Sequence, residues 1–176
     1  GGIDFDKIAL KKSFGICGGC CACGSCHVYI DKDADIKKAI NIAVNSKTQR
    51  TGVCNAMETL LIDKAIAPAL LPQVAEALRA KGVELRVDET GAGILGNDIT
   101  AATSADWDTE FLDLICAVRV VDGIEGAIAH INAHGSGHTD SIVTENETTA
   151  RRFQQEVDSS TVFWNASTRF SDGGEF

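Results

Sequence analysis

Between His27 and Trp164 the sequence alternates between two hydrophobic periods: short apolar or β-branched runs, then stretches whose apolar residues recur three and four apart. Few folds accept that pattern. A strand followed by an amphipathic helix on a short connection can bury both apolar sides only when the strands lie parallel and the helices cover the sheet. The expected fold class is therefore α/β, a mostly parallel sheet with helices on both faces. His27-Val28-Tyr29-Ile30 reads as the first strand, and Ile36, Ala39, Ile40, Ala43 and Val44 as the stripe of a helix capped by Asp33 and running to about Arg50. Thr59-Leu60-Leu61-Ile62 reads as a buried strand. Pro72 then opens a helix carrying Val74, Ala75 and Leu78, which Gly82 stops.

Val83-Glu84-Leu85-Arg86-Val87 alternates as a strand should, whereas 88 to 104, with Gly91, Gly93 and Gly96, has no period and reads as a loop. Ile115 to Val121 is the next strand. The helix after it has Asp122 as cap and Glu125 in the capping-box position, with Ile124, Ala127, Ile128 and Ile131 as its stripe. Ser141-Ile142-Val143 is a short strand, Thr144-Glu145-Asn146-Glu147 a second capping box, and Ala150, Phe153 and Val157 the inner side of the helix it opens. Thr161-Val162-Phe163-Trp164 closes the series.

Composition narrows the function. The chain has 176 residues and 44% hydrophobic content, enough for one sizeable core. Its 16 basic and 25 acidic side chains give a net charge of −9, which repels nucleic acid and anionic membrane surfaces. No apolar run approaches the roughly 18 residues that span a bilayer, and the first residues lack the apolar core and cleavage site of a secretory signal. A soluble cytoplasmic protein is expected. The first residue is not methionine and the last, Phe176, closes on no element, so the chain reads as a piece of something longer.

Cys54 stands alone in a short polar turn between a helical stretch and a strand-like one. It reads either as a reachable nucleophile, helped if a helix began just beyond it, or as a small buried hydrophobe. Lys47 and Arg50 precede it on the helix, where they either raise the local potential or sit solvated near the helix C-terminus. His130, His134 and His138 are spaced four apart like ligands on one helix face, but Gly135 and Gly137 end the helix before His138, which argues against zinc there.

The segment around Cys54, the runs 82–86 and 110–114, the stretch Ala127-Ile128-Ala129-His130-Ile131-Asn132, the turn Gly135-Ser136-Gly137-His138-Thr139, and Asn165 to Phe176 together resemble the catalytic region of the glutamate-5-semialdehyde dehydrogenase (γ-glutamyl phosphate reductase) family. The resemblance covers residues 26–176. It implies an aldehyde dehydrogenase-like catalytic domain, truncated here, with Cys54 as the nucleophile. It further implies a small-molecule substrate, glutamyl 5-phosphate or the semialdehyde, and NADPH as hydride donor. The thiolate would displace phosphate and leave a thioester for reduction, a step of proline biosynthesis. By the same resemblance Glu110 binds the nicotinamide ribose, with a solvated acid as the rival reading. Asn165, Ser167, Thr168 and Arg169 fall in the substrate-pocket segment. Arg169 would grip a carboxylate or phosphate or else make a surface salt bridge, and Asn165 would meet substrate or cap a turn. In the superfamily a second oxyanion donor and the nucleotide-binding half lie outside such a segment, so little turnover is expected of this stretch alone; for the complete parent a homo-oligomer stays open.

Residues 1–25 depart from that resemblance and form a cysteine-rich leader. Five of the seven cysteines fall between Cys17 and Cys26, too close together to staple distant loops. The run 14–29 is similar to the cluster loop of [2Fe–2S] ferredoxins, which implies Cys17, Cys23 and Cys26 as iron–sulfur ligands. The even spacing of Cys17, Cys20, Cys23 and Cys26 also suits zinc or a [4Fe–4S] cluster. Both would make this leader a metal or electron-transfer module.

Overall fold

In a computed structural model, residues 25–96 and 99–171 are described. Seven strands form one sheet: β1 (Cys26–Ile30), β2 (Met57–Asp63), β3 (Glu84–Val87), β4 (Thr100–Ala101), β5 (Ile115–Val121), β6 (Thr139–Val143) and β7 (Thr161–Trp164). Their spatial order is β4-β3-β5-β2-β1-β6-β7, and every pairing is parallel. β1 and β2 are buried at every position, as central strands of a doubly covered sheet are, the polar His27, Glu58, Thr59 and Asp63 included.

The helices divide the cover. On one face α1 (Ile36–Thr48), α2 (Ala67–Arg79) and the short α3 (Glu89–Leu95) enclose Val28, Ile30, Leu60, Ile62 and Val118. On the other, α4 (Gly123–His134) and α5 (Glu147–Glu156) pack on Tyr29, Leu61 and Ile142, with Tyr29 stacked on Phe153 at 5.9 Å between ring centroids. None of the described helices is long and apolar enough to cross a membrane.

Where structure and sequence expectation part, local hydrogen bonding or tertiary burial explains why. Asp35, not Asp33, caps α1, its carboxylate accepting from the Lys38 N–H, while Asp33 pairs with Lys32 and Asn146. Pro72 lies inside α2, and Pro68 occupies the first turn. An interior proline costs about 3 kcal/mol, but fully buried Leu70, Leu71, Val74 and Leu78 each return roughly 1.5–3 kcal/mol of transfer free energy.

The expected loop 88–104 is also structured. Asp88 accepts from the Gly91 N–H to start α3, and β4 and a 3₁₀ turn, Ser104–Asp108, follow. Neither expected capping box forms. Asp122 makes no side-chain cap, Glu125 pairs with Arg152, and α5 is capped by Asn146 because the Thr144 hydroxyl is spent on Asp31.

Candidate active site

In a parallel sheet each helix carries the chain from the end of one strand back to the start of the next. The segment from α1 into β2, which holds Cys54, therefore lies where strands begin. No helix starts beyond Cys54; three residues later the chain is already in β2, so no helix N-terminus follows this thiol to favour its thiolate. What faces it is His138, whose Nε2 lies 3.6 Å from Sγ. The Gly135–Gly137 turn, with Gly137 in the left-handed region at φ +70°, swings His138 back over the strand starts, and Ser136 Oγ accepts from the His138 N–H. His138 Nδ1 lies 2.7 Å from Thr139 Oγ1. With Nδ1–H donating to that hydroxyl, the Nε2 lone pair faces the thiol, the arrangement of a base. Burial lowers the His138 pKa below its ordinary value, against an opposing pull from Asp140, and so favours the neutral, accepting form. Beneath it the buried Cys26 thiol donates to the Cys54 carbonyl oxygen at 3.0 Å and pins the backbone.

A second segment returns to this end of the sheet after β7. Ser167 Oγ lies 3.0 Å from Ser46 Oγ on α1, the Thr168 N–H donates to the same hydroxyl, and Arg169 Nε donates to Gln49 Oε1 at 2.7 Å. Asn55, next to the thiol, donates to the Ser171 carbonyl oxygen. Arg169 thus stands close enough to feel both Arg50 and Cys54. Burial and the Arg50 charge lower its pKa, and Cys54 opposes them. The two guanidinium charges raise the local positive potential, which favours an anion at this end of the sheet.

The expected substrate residues are divided by this geometry. Arg169 reaches the thiol region, whereas Ser167 and Thr168 are buried and fix the segment on α1, the Thr168 hydroxyl making no hydrogen bond. Asn165 is not brought near Cys54. In the left-handed region at φ +53°, it accepts from the Thr144 N–H and donates to the Thr144 carbonyl where the strands end. Glu110 does share the Cys54 end of the sheet, half-buried just before β5 in a segment held at several points. Arg86 pairs with Asp106 at 2.6 Å and covers the Phe111 ring, and Trp107 meets His130 edge-on.

Lys47 is fully buried against Glu58, so the reading of a solvated cation at the helix end fails. Of the proposed metal ligands Cys26 alone falls among the described residues, and no group of three or more His, Cys, Asp or Glu among them could hold a metal ion; Cys17, Cys20 and Cys23 lie outside. Sequence reasoning missed His138 as a partner of the thiol and Asn55 as an anchor. The sequence signal for His138 is its place after a glycine-flanked turn that opens a strand.

Over 153 residues, 87% of the chain, the sequence is 56% identical to gamma-glutamyl phosphate reductase from Hyphomonas neptunium. The crystal structure of gamma-glutamyl phosphate reductase from Thermotoga maritima matches with a TM-score of 0.83 at 48% identity, over 86% of this chain and 36% of that one. The chain is a homologue of the gamma-glutamyl phosphate reductases. It spans about a third of the length of the curated relatives it matches, 36–37% of each. No protein-family model matches it. The fold of this chain is also that of an acetylating aldehyde dehydrogenase from Geobacillus thermoglucosidasius, at a TM-score of 0.62 and 22% identity, over 84% of this chain and 41% of that one. An aldehyde dehydrogenase-like α/β sheet is thus the setting of Cys54.

Proposed function

We propose that the chain carries the acyl-transfer centre of an NADPH-dependent reductase that converts L-glutamyl 5-phosphate to L-glutamate 5-semialdehyde and phosphate. The supporting observation is the thiol of Cys54 facing His138 Nε2 at 3.6 Å, beside Arg169 and Arg50. His138 accepts the thiol proton. The Cys54 sulfur attacks the acyl carbon, the carbonyl electron pair moves to oxygen and returns, and the C–O bond to phosphate breaks, leaving a thioester. The Cys54 N–H is the local donor for the transient oxyanion. Arg169 and Arg50 hold anionic substrate groups, phosphate or carboxylate, so that the acyl carbon meets sulfur in one orientation.

Glu110 fits a nucleotide at the same end, because a half-buried carboxylate can accept two hydrogen bonds from a ribose diol. Glu110 would hold NADPH by its ribose, and the chemistry that cofactor would supply is hydride for the thioester. Residues 26–176 are the proposed catalytic unit and 1–25 a leader without a part in it.

The acyl-transfer half needs no nucleotide and can be tested by itself. The chain is mixed with glutamyl 5-phosphate generated in place and then analysed by intact mass. A hydroxylamine-labile adduct mapped to Cys54 is expected. An alkylatable Cys54 that never takes up the acyl group would overturn the reading.

A further inference from the structure

Three consecutive residues at the start of β1 reach both partners of the thiol–imidazole pair. Ser25, Cys26 and His27 are fully buried. The Ser25 carbonyl oxygen accepts from the Ser136 N–H at 3.2 Å, and Ser25 bridges Gly135 in parallel, which seats the turn that carries His138 on β1. On the far side of His138, Asp140 Oδ1 accepts from the His27 N–H at 2.8 Å and lies 3.1 Å from His27 Nδ1, while the Ser159 hydroxyl donates to Oδ2. The chain is thus anchored to β1 on either side of His138. Between these two anchors Cys26 donates its thiol proton to the Cys54 carbonyl oxygen at 3.0 Å. The sheet is irregular at this point: Cys26 stands opposite Met57 and His27 opposite Thr59, so β2 carries one extra residue, a bulge of the kind that re-aims the side chains beside it.

We propose that residues 25–27 set the spacing between Cys54 and His138, with Cys26 a positioning residue for the nucleophile: its S–H holds the Cys54 backbone to the same three residues that anchor the imidazole's segment. The catalytic meaning rests on the function proposed above, whereas the anchoring is built from hydrogen bonds of the chain alone. A buried cysteine can also serve as a small apolar filler. The two roles rank substitutes in opposite order. A filler is replaced best by alanine or valine and worst by serine, whose hydroxyl is costly to bury. A donor is replaced best by serine, because serine alone of the three returns a proton to the Cys54 carbonyl.

The test follows iodoacetamide labelling of the Cys54 peptide by mass spectrometry in the full chain at neutral pH, for Cys26→Ala, Cys26→Val and Cys26→Ser, each with and without His138→Asn. Alanine and valine err in volume in opposite directions, and either one that keeps a cooperative melt decides the outcome. Both are expected to slow Cys54 about fivefold, the worth of one net hydrogen bond, with Cys26→Ser near the wild-type rate. In the His138→Asn background the slowing is expected to vanish, because spacing to a missing imidazole has no effect. Wild-type labelling in a folded Cys26→Ala or Cys26→Val overturns the proposal. So does Cys26→Ser as the slowest of the three, or a slowing that persists in full without the imidazole. If glutamyl 5-phosphate leaves no adduct on Cys54 while these rates hold, the reductase function fails and the positioning stands.

Discussion

The two ends of the sheet differ in how fully their polar groups are satisfied. Where the strands finish there is a cavity of about 440 Å³, lined by Asp31, Asp63 and Asp122 among others, at the place where open α/β sheets usually bind ligands. Its buried carboxylates are nevertheless fully engaged. The Tyr29 hydroxyl donates to Asp31 and Asp63, the Thr144 hydroxyl to Asp31, and the Ala65 N–H to Asp63. Where the strands begin, Asn55 Oδ1, Glu58 Oε1, His130 Nε2 and, on the returning segment, Thr168 Oγ1 are buried without a regular hydrogen bond. Polar groups that the fold leaves unanswered lie at the end of the sheet that also holds the thiol, and those it answers line the cavity at the other end. Concavity and chemistry have come apart in this fold.

The sharpest break of that contrast is Cys54→Ala. Cys54 is only half-buried, so stability should hardly move, while hydroxylamine-labile acylation, read by intact mass, should fall by about 10³-fold or more. A variant still acylated elsewhere in the site would shift the chemistry off this thiol. The complementary change is Asp31→Ala where the strands finish. It leaves the Thr144 hydroxyl without its buried acceptor and the Tyr29 hydroxyl with Asp63 alone, and should cost about 2 kcal/mol in chemical denaturation, with the Cys54 alkylation rate unchanged. A slower thiol in that variant would mean that the two ends are coupled.

His138→Asn is the intermediate case, expected to slow Cys54 alkylation at neutral pH about tenfold by removing the facing base. It also bears on acid stability. Burial lowers the pKa of His138, and that of His130 to about 3, so as pH falls below the ordinary histidine range the unfolded chain gains protons that the native state does not. Native stability should therefore fall with acidification from about pH 6.5, and for His130 on towards its depressed value. His138→Asn should make that acid limb shallower in pH-dependent melts. An unchanged limb would show that His138 is solvated enough to titrate normally.

Strand and helix types between His27 and Trp164 were legible because a doubly covered parallel sheet forces apolar runs and three-four stripes into the sequence itself. Helix starts were less so. Which of Asp33 and Asp35 caps α1 depends on where Asp33 is drawn by Asn146, far along the chain. Gly91 and Gly93 hid α3, because propensity sees the glycines and not the Asp88 cap; a Cβ at Gly91 would come within 2.5 Å of Val87 Cγ1.

In the site, the family resemblance pointed to Cys54, Glu110 and Arg169, but not to what surrounds them. That His138 faces a thiol 84 positions away, or that Lys47 is buried on Glu58, is decided by how β6 and β2 sit on either side of β1. Asn165 looked like a pocket residue from its neighbours in sequence. The chain reverses immediately after it, so it stays with Thr144 while Arg169 crosses to the thiol.

The smallest expected effect comes from Thr168→Val and is the most discriminating. The Thr168 hydroxyl is buried and unpaired, so exchanging it for a methyl group of the same shape removes a desolvated polar atom without opening a cavity. Stability should stay level or rise by up to about 1 kcal/mol, measured by denaturant midpoint. If the hydroxyl is idle, acylation of Cys54 by glutamyl 5-phosphate and its alkylation by a small reagent should both stay at wild-type rates. If it waits for a substrate oxygen, acylation alone should slow. Stability would then place Thr168 among the groups the fold leaves unanswered, and the split between the two thiol reactions would say whether substrate is what answers it.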